Sequence, residues 1–133
     1  MKYTSGYKYQ LAISYKVQTA VRPKKLVQTR YLSLNEKGSL RISSGYAWDG
    51  PSGPTVDTKS FMRGSLVHDA LYQLIRRGWL SQDYREAADL ELWKICREDG
   101  MSRMRAWYVH RAVRRVGFLA TAESAKKKLL SAP

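Results

Sequence analysis

Ser60-Phe61-Met62-Arg63-Gly64-Ser65-Leu66-Val67-His68-Asp69-Ala70-Leu71-Tyr72-Gln73-Leu74-Ile75-Arg76-Arg77-Gly78 carries the clearest periodic pattern in the chain. Val67, Ala70, Leu71 and Leu74 recur at the three- and four-residue spacing of an apolar helical stripe. Ser60 or Thr58 can cap its start and Gly78 stops it, so the spacing predicts a helix that reaches about Arg77. Asp83 and Glu86 then form a D-x-x-E capping box for a second helix, from Tyr84 to about Arg97, closed by Asp99-Gly100. The short link over residues 78–82 makes the two helices antiparallel neighbours.

Downstream, Ser102 caps a third helix expected to run to about Val116, with Gly117 after it. Met104, Tyr108, Ala112, Val113 and Val116 form its expected buried side. Arg103, Trp107, His110, Arg111, Arg114 and Arg115 form a basic side with an aromatic in it. Residues 118–133, with Lys126-Lys127-Lys128, read as a basic tail.

Upstream the period changes to two. Leu11, Ile13, Tyr15 and Val17 alternate with Ala12, Ser14, Lys16 and Gln18, the pattern of a half-buried strand. Residues 26–34 repeat the style, Asn35-Glu36-Lys37-Gly38 gives a hairpin turn, and residues 39–46 return. A small antiparallel sheet follows, with Lys8, Lys16, Lys24 and Lys25 guarding its edges. Between sheet and helices, residues 47–58 hold Trp48-Asp49-Gly50-Pro51-Ser52-Gly53-Pro54, where two glycines and two prolines in five residues forbid regular structure and expose carbonyls. The fold class is α+β: a small N-terminal sheet, then about three helices, in one domain of 133 residues.

Composition narrows the partners. Twenty-four basic against 11 acidic residues leave a net charge of +13, which calls for something rich in negative charge: nucleic acid, an anionic lipid surface or an acidic protein. With one cysteine, Cys96, no intramolecular disulfide can form, which excludes a bridge-stapled secreted fold. Cys96 itself reads as a small core residue. Residues 1–10 are polar and aromatic, and every apolar run is too short to cross a bilayer. The expectation is therefore a protein without signal-peptide export or a transmembrane segment.

Chemistry concentrates at one place. His68 and Tyr72 are four apart and share a helix face. Asp89 falls on the next helix at a similar height from the loop. It is expected to accept the Nδ1 proton of His68, fixing the tautomer and leaving Nε2 as a base. Asp69, beside a loop of exposed carbonyls, has the character of a ligand for a hard cation. A calcium ion there would polarise an ester carbonyl while His68 activates a water.

These residues resemble known families. Tyr46-Ala47-Trp48-Asp49-Gly50-Pro51-Ser52-Gly53, Pro54 and Asp57, His68-Asp69-Ala70-Leu71-Tyr72, then Ala88-Asp89, are similar in order to the phospholipase A(2) pattern. That pattern is a glycine-rich calcium loop, an H-D-x-x-Y helix and a second aspartate on an antiparallel helix. With the Ala88-Asp89 pair after H-D-x-x-Y, the residues resemble in particular the disulfide-free type found in parvovirus capsids. The same segment resembles an uncharacterised phage and prophage family with a D-G-x-S-x-P loop, an H-D-x-L-Y helix and an R-x-x-A-D helix, here Arg85, Ala88 and Asp89. Both resemblances cover roughly residues 45–97.

The resemblance implies His68 as general base, Asp89 as its orienting partner and Tyr72 as support for Asp89. It implies Asp69 as the calcium carboxylate, with carbonyls of Trp48, Gly50 and Gly53 completing the shell. It implies a phage-encoded lipid hydrolase or a degenerate descendant, located in the host cytoplasm or a virion. Asp49 stands where secreted enzymes carry a disulfide cysteine, and Ser52 where a glycine is usual.

Other readings stay open. His68, Asp89 and Tyr72 can simply satisfy one another in a buried network. Asp49 and Asp57 can serve turns and caps. A metal phosphohydrolase would need a histidine upstream of His68, and none exists. On the third helix, Arg103, Trp107, Arg111, Arg114 and Arg115 form a candidate anion-binding face. Arginine alone supplies its cations, which favours phosphate, whether of lipid or of nucleic acid. The alternative function is thus a non-catalytic basic phage protein that binds nucleic acid, a virion component or a host factor.

Overall fold

The computed structural model describes residues 3–4, 9–48 and 59–121, with side chains over 9–48 and 60–115. It is an α+β fold. Among the described residues seven short strands come first: β1 (Tyr3–Thr4), β2 (Tyr9–Leu11), β3 (Tyr15–Gln18), β4 (Val27–Gln28), β5 (Leu32–Leu34), β6 (Ser39–Ile42) and β7 (Ala47–Trp48). Three α-helices follow among the described residues: α1 (Lys59–Arg76), α2 (Arg85–Glu98) and α3 (Arg103–Thr121).

The strands form two antiparallel sheets, ordered β1-β2-β7 and β3-β6-β5-β4, where one sheet was expected. The long alternating run breaks because the chain bends after Leu11. Leu11 is buried and Ile13, expected on the same inward face, is 54% exposed. Beyond the bend β3 starts afresh as an edge strand carrying Lys16. The hairpin at residues 35–38 forms as its residues dictate. Asn35 Oδ1 accepts from the Lys37 and Ser39 amides at 3.0 and 2.9 Å, and Gly38 takes a φ of +88°. A Cβ on Gly38 would collide with the Thr19 carbonyl oxygen, which lets the tip of the hairpin lie against β3.

The helical half follows its punctuation closely. Gly78 and Gly100 adopt left-handed φ of +83° and +98° and end α1 and α2. Ser102 Oγ accepts the Arg105 amide at 3.2 Å and caps α3. Two expectations are corrected. Ser81, not Asp83, supplies the cap upstream of α2: its Oγ accepts the Asp83 amide at 3.1 Å, starting a 3-10 turn, Gln82–Tyr84, that leads into the helix. Gly117 does not stop α3, which continues to Thr121; a helical glycine costs about 1 kcal/mol and is no barrier by itself.

One core joins the sheets to α1 and α2. Leu11, Leu32, Leu34, Leu40 and Ile42 from the strands meet Leu66, Val67, Ala70, Leu71 and Leu74 of α1, all at most 1% exposed. Each buried aliphatic chain contributes about 1.5–3 kcal/mol relative to exposure. A second cluster, Phe61, Leu92, Cys96, Met101, Ala106 and Val109, fills the space among the three helices. Gly64 lets α1 and α2 approach, since a Cβ there would lie 2.8 Å from Cys96 Sγ.

Polar ties run along the same seams. Arg63 of α1 grips Asp99 through Nε and Nη2, each at 2.9 Å, and reaches Tyr15 of β3 at 3.0 Å. The buried carboxylate of Glu91 accepts the Ala20 amide at 2.7 Å, a bond spanning 71 positions. These contacts hold α1 and α2 antiparallel: early α1 meets late α2 through Arg63 and Asp99, and mid α1 meets early α2 through His68 and Asp89.

Candidate functional site

Asp89 is the centre of the site. It is 0% exposed, on the face of α2 that lies against α1 and α3. Its Oδ1 accepts from His68 Nε2 at 2.7 Å and from the Tyr72 hydroxyl at 2.5 Å, both on α1. Its Oδ2 accepts from Arg114 Nη1 of α3 at 2.8 Å, and Arg85 Nη1, one helical turn before Asp89, stands 3.9 Å away. A carboxylate has only acceptor sites, so a ring of donors is what allows it to stay ionised without water.

The helical repeat positions these groups. His68 and Tyr72, four residues apart, stack on one face with ring centroids 4.0 Å apart. The next residue, Asp69, is rotated outward by about 100° and its side chain is 39% exposed. Its Oδ1 lies 3.9 Å from His68 Nδ1, beyond hydrogen-bond length. The imidazole is thus turned the other way from expectation: Nε2 meets Asp89, and Nδ1 faces the Asp69 side. From residue 68 the ring reaches inward along the Cα–Cβ direction, so its far nitrogen is the one that arrives at α2.

The electrostatics follow from burial and charge. Burial opposes the imidazolium of His68, but Asp69 and Asp89 outweigh it, and the pKa is raised. Burial likewise opposes ionised Asp89, while hydrogen bonds from His68, Tyr72 and Arg114 outweigh it and lower its pKa. Burial and the Asp89 charge together raise Tyr72, so its phenol remains protonated as a donor.

Of the residues picked from the sequence, His68, Tyr72 and Asp89 come together, with Asp69 beside them. Trp48 is buried at 3% exposure, and its indole N–H donates to Ser65 Oγ at 3.2 Å, one turn before Asp69. Gly50 and Gly53, with Asp49 and Asp57, lie outside the described residues. Among the described residues no group of three or more His, Cys, Asp or Glu side chains is placed to hold a metal ion. As a hard, partly exposed oxygen donor, Asp69 suits calcium in chemical type.

Arg114 is corrected. Expected among the exposed anion-binding arginines, it turns inward to Asp89, because its long stem spans from the flank of α3 to the buried carboxylate. No sequence signal pointed to it. Arg85 did carry one, its i,i+4 spacing to Asp89.

The remaining face of α3 is also corrected. Ala106 and Val109 are buried and Val113 packs beside them, whereas Met104, Tyr108 and Ala112, expected inside, are exposed. The small and β-branched residues face inward, where they meet Leu92 and Cys96 of α2. Val116 lies outside the described side chains. His110, expected on the basic side, has its Nε2 buried and without a hydrogen-bond partner among the described residues. Arg103, Trp107, Arg111 and Arg115 are exposed as expected, with the Arg111 guanidinium 5.3 Å from the Trp107 ring centre.

No helix among the described residues is long and apolar enough to cross a membrane. No protein-family model, curated protein or solved structure matches the chain.

Proposed function

We propose that the chain is a phage-encoded ester hydrolase of the phospholipase A(2) type, acting on lipid. The observation that carries this reading is the orientation of His68. One nitrogen is fixed by a fully buried carboxylate that also holds Tyr72, and the other faces a partly exposed aspartate. In the neutral ring, Nδ1 takes a proton from the water that attacks the ester carbonyl, and Asp89 steadies the imidazolium that results. The proton then passes to the departing alkoxide. Tyr72 and Arg114 keep Asp89 ionised and in place. Asp69, with carbonyls of Trp48, Gly50 and Gly53, would hold calcium, which when bound supplies polarisation of the ester carbonyl.

The test is release of fatty acid from mixed phospholipid vesicles with and without calcium. Turnover by the full chain is expected with calcium, lost in Asp69→Asn and in His68→Gln. The raised pKa of His68 places the base form on the alkaline side, so the rate should climb as pH rises through that pKa. Absence of turnover, together with a melting temperature that calcium leaves unchanged, refutes the reading.

A second reading is favoured by one observation, the closure of Arg114 on the free oxygen of Asp89. A carboxylate saturated by His68, Tyr72 and Arg114 also suits a purely structural clamp. The chain is then a non-catalytic phage protein in which the basic surface is the working part, engaging nucleic acid, a virion component or a host factor. Salt-dependent binding with no hydrolysis is its expected signature.

A further inference from the structure

The solvent-facing side of α3 carries an unusual set of residues. Met104, Trp107 and Tyr108 are 81%, 56% and 61% exposed, and Arg111 and Arg115 continue the same side toward the C-terminal half. At about 100° per residue these five positions cluster opposite Ala106, Val109 and Val113, which face the body. The helix therefore has a core-facing stripe of small residues and an outward stripe of large ones, with a groove of about 360 Å³ along Trp107, Tyr108, Arg111 and Arg115. Between residues 103 and 121 there is no acidic residue.

We infer that this face is the surface on which the protein settles onto an anionic lipid bilayer. The inference rests on the lipid reading above and deepens it by naming where lipid is met. Two observations favour a bilayer over other polyanions. The apolar members lie together at one end, and the most exposed of them is Met104, a thioether that an interface can bury and a phosphate backbone cannot. Trp107 and Tyr108 are the side chains that partition to the headgroup level, and Arg111 is held over the Trp107 ring, within reach of lipid phosphate. A second copy of the chain is disfavoured as occupant by the net charge of +13 that each copy would bring. Arg114 lies at the flank of the same helix and ends on Asp89, so the site and the lipid-facing stripe share one rigid element.

The experiment uses the full chain and vesicles of diether phosphatidylglycerol or diether phosphatidylcholine, which contain no carboxylic ester to hydrolyse. Sedimentation is expected to show binding to the anionic vesicles and little to the zwitterionic ones. The pair Arg111→Ala/Arg115→Ala should weaken binding roughly 25-fold, about fivefold for each cation lost near the surface. Met104→Ser should weaken it further at high salt, where charge is screened. Lys24→Ala/Lys25→Ala removes the same charge from an exposed stretch elsewhere and should leave affinity within about twofold.

Absence of binding overturns the inference, as does an equal loss in the lysine pair. Binding to a single-stranded oligonucleotide but not to vesicles overturns it in favour of nucleic acid, and a dimer that hides Trp107 overturns it in favour of self-association. Because no carboxylic ester is present, failure of hydrolysis in the earlier assay leaves this result standing, and the converse holds.

Discussion

Replacing Asp89 by asparagine probes the centre of the molecule with almost no change in shape. In the native arrangement one oxygen receives His68 and Tyr72 and the other receives Arg114, all donors. An amide offers one acceptor and one donor, so one side meets its match and the other a donor–donor conflict. The negative charge that balances two cations also vanishes. Breaking a buried ion pair from one side costs about 3–5 kcal/mol. For a chain of this length that corresponds to a fall in melting temperature of roughly 10–20 °C.

The cost depends on pH, and its sign is fixed by His68. Its pKa is raised in the folded chain, so the stabilisation it brings is complete below the unfolded value and is lost as pH rises through the folded one. Asp89, with its lowered pKa, contributes above the unfolded carboxylate value and loses that contribution only as pH falls through the folded one. The gap between wild type and Asp89→Asn should therefore be widest near pH 5–6 and narrow toward alkaline pH, where a neutral imidazole can accept from the amide. Urea unfolding followed by circular dichroism from pH 5 to 9.5 measures it. A gap below about 1 kcal/mol at every pH, or one that widens with pH, refutes the account of Asp89 as a carboxylate clamped by cations.

Three further outcomes are expected. Tyr72→Phe removes a hydrogen bond to an ionised acceptor and should cost about 1.5–3 kcal/mol in the same urea assay, with little dependence on pH between 6 and 9. Gly64→Ala places a methyl against Cys96 Sγ, and overpacking of about 1–3 kcal/mol should outweigh the gain in helix propensity; combining it with Cys96→Ala should recover part of the loss in a double-mutant cycle. The Cys96 thiol is fully buried and pushed up to about 12, so a thiol reagent at pH 8 should react with it only at the rate of unfolding; fast labelling of the native chain would contradict its burial.

Much of the helical half was legible because short-range signals act alone there. The α1 stripe, the glycines at 78 and 100 and the Ser102 cap each depend on a few neighbouring residues, and the brief loop sets His68 level with Asp89. The strands were less legible. Alternation from Leu11 to Val17 continues through a bend that sends Ile13 outward, and two-residue strands such as β4 and β7 exist only through their partners.

On α3, apolar residues occur on both sides, so period alone offered two stripes. The larger one, Met104 and Tyr108, faces solvent, and the smaller Ala106 and Val109 pack with Leu92 and Cys96 of α2. Arg114 was hidden for another reason. An arginine among arginines carries no local sign that its partner sits 25 positions upstream on another helix.

The bond from the Ala20 amide to Glu91 has a consequence for how the chain reaches this state. His68 and Asp89 are 21 positions apart and can meet soon after their helices form, but Ala20 and Glu91 must find each other across 71. Closing so long a loop is entropically slow, and the ordered helices must wait for the sheet to dock before the carboxylate of Glu91 has its donor. Refolding should accordingly run at the pace of mixed α/β chains, well behind that of simple helical bundles. A helical hairpin with its sheet side still uncovered would be the species that chaperones or aggregation compete for.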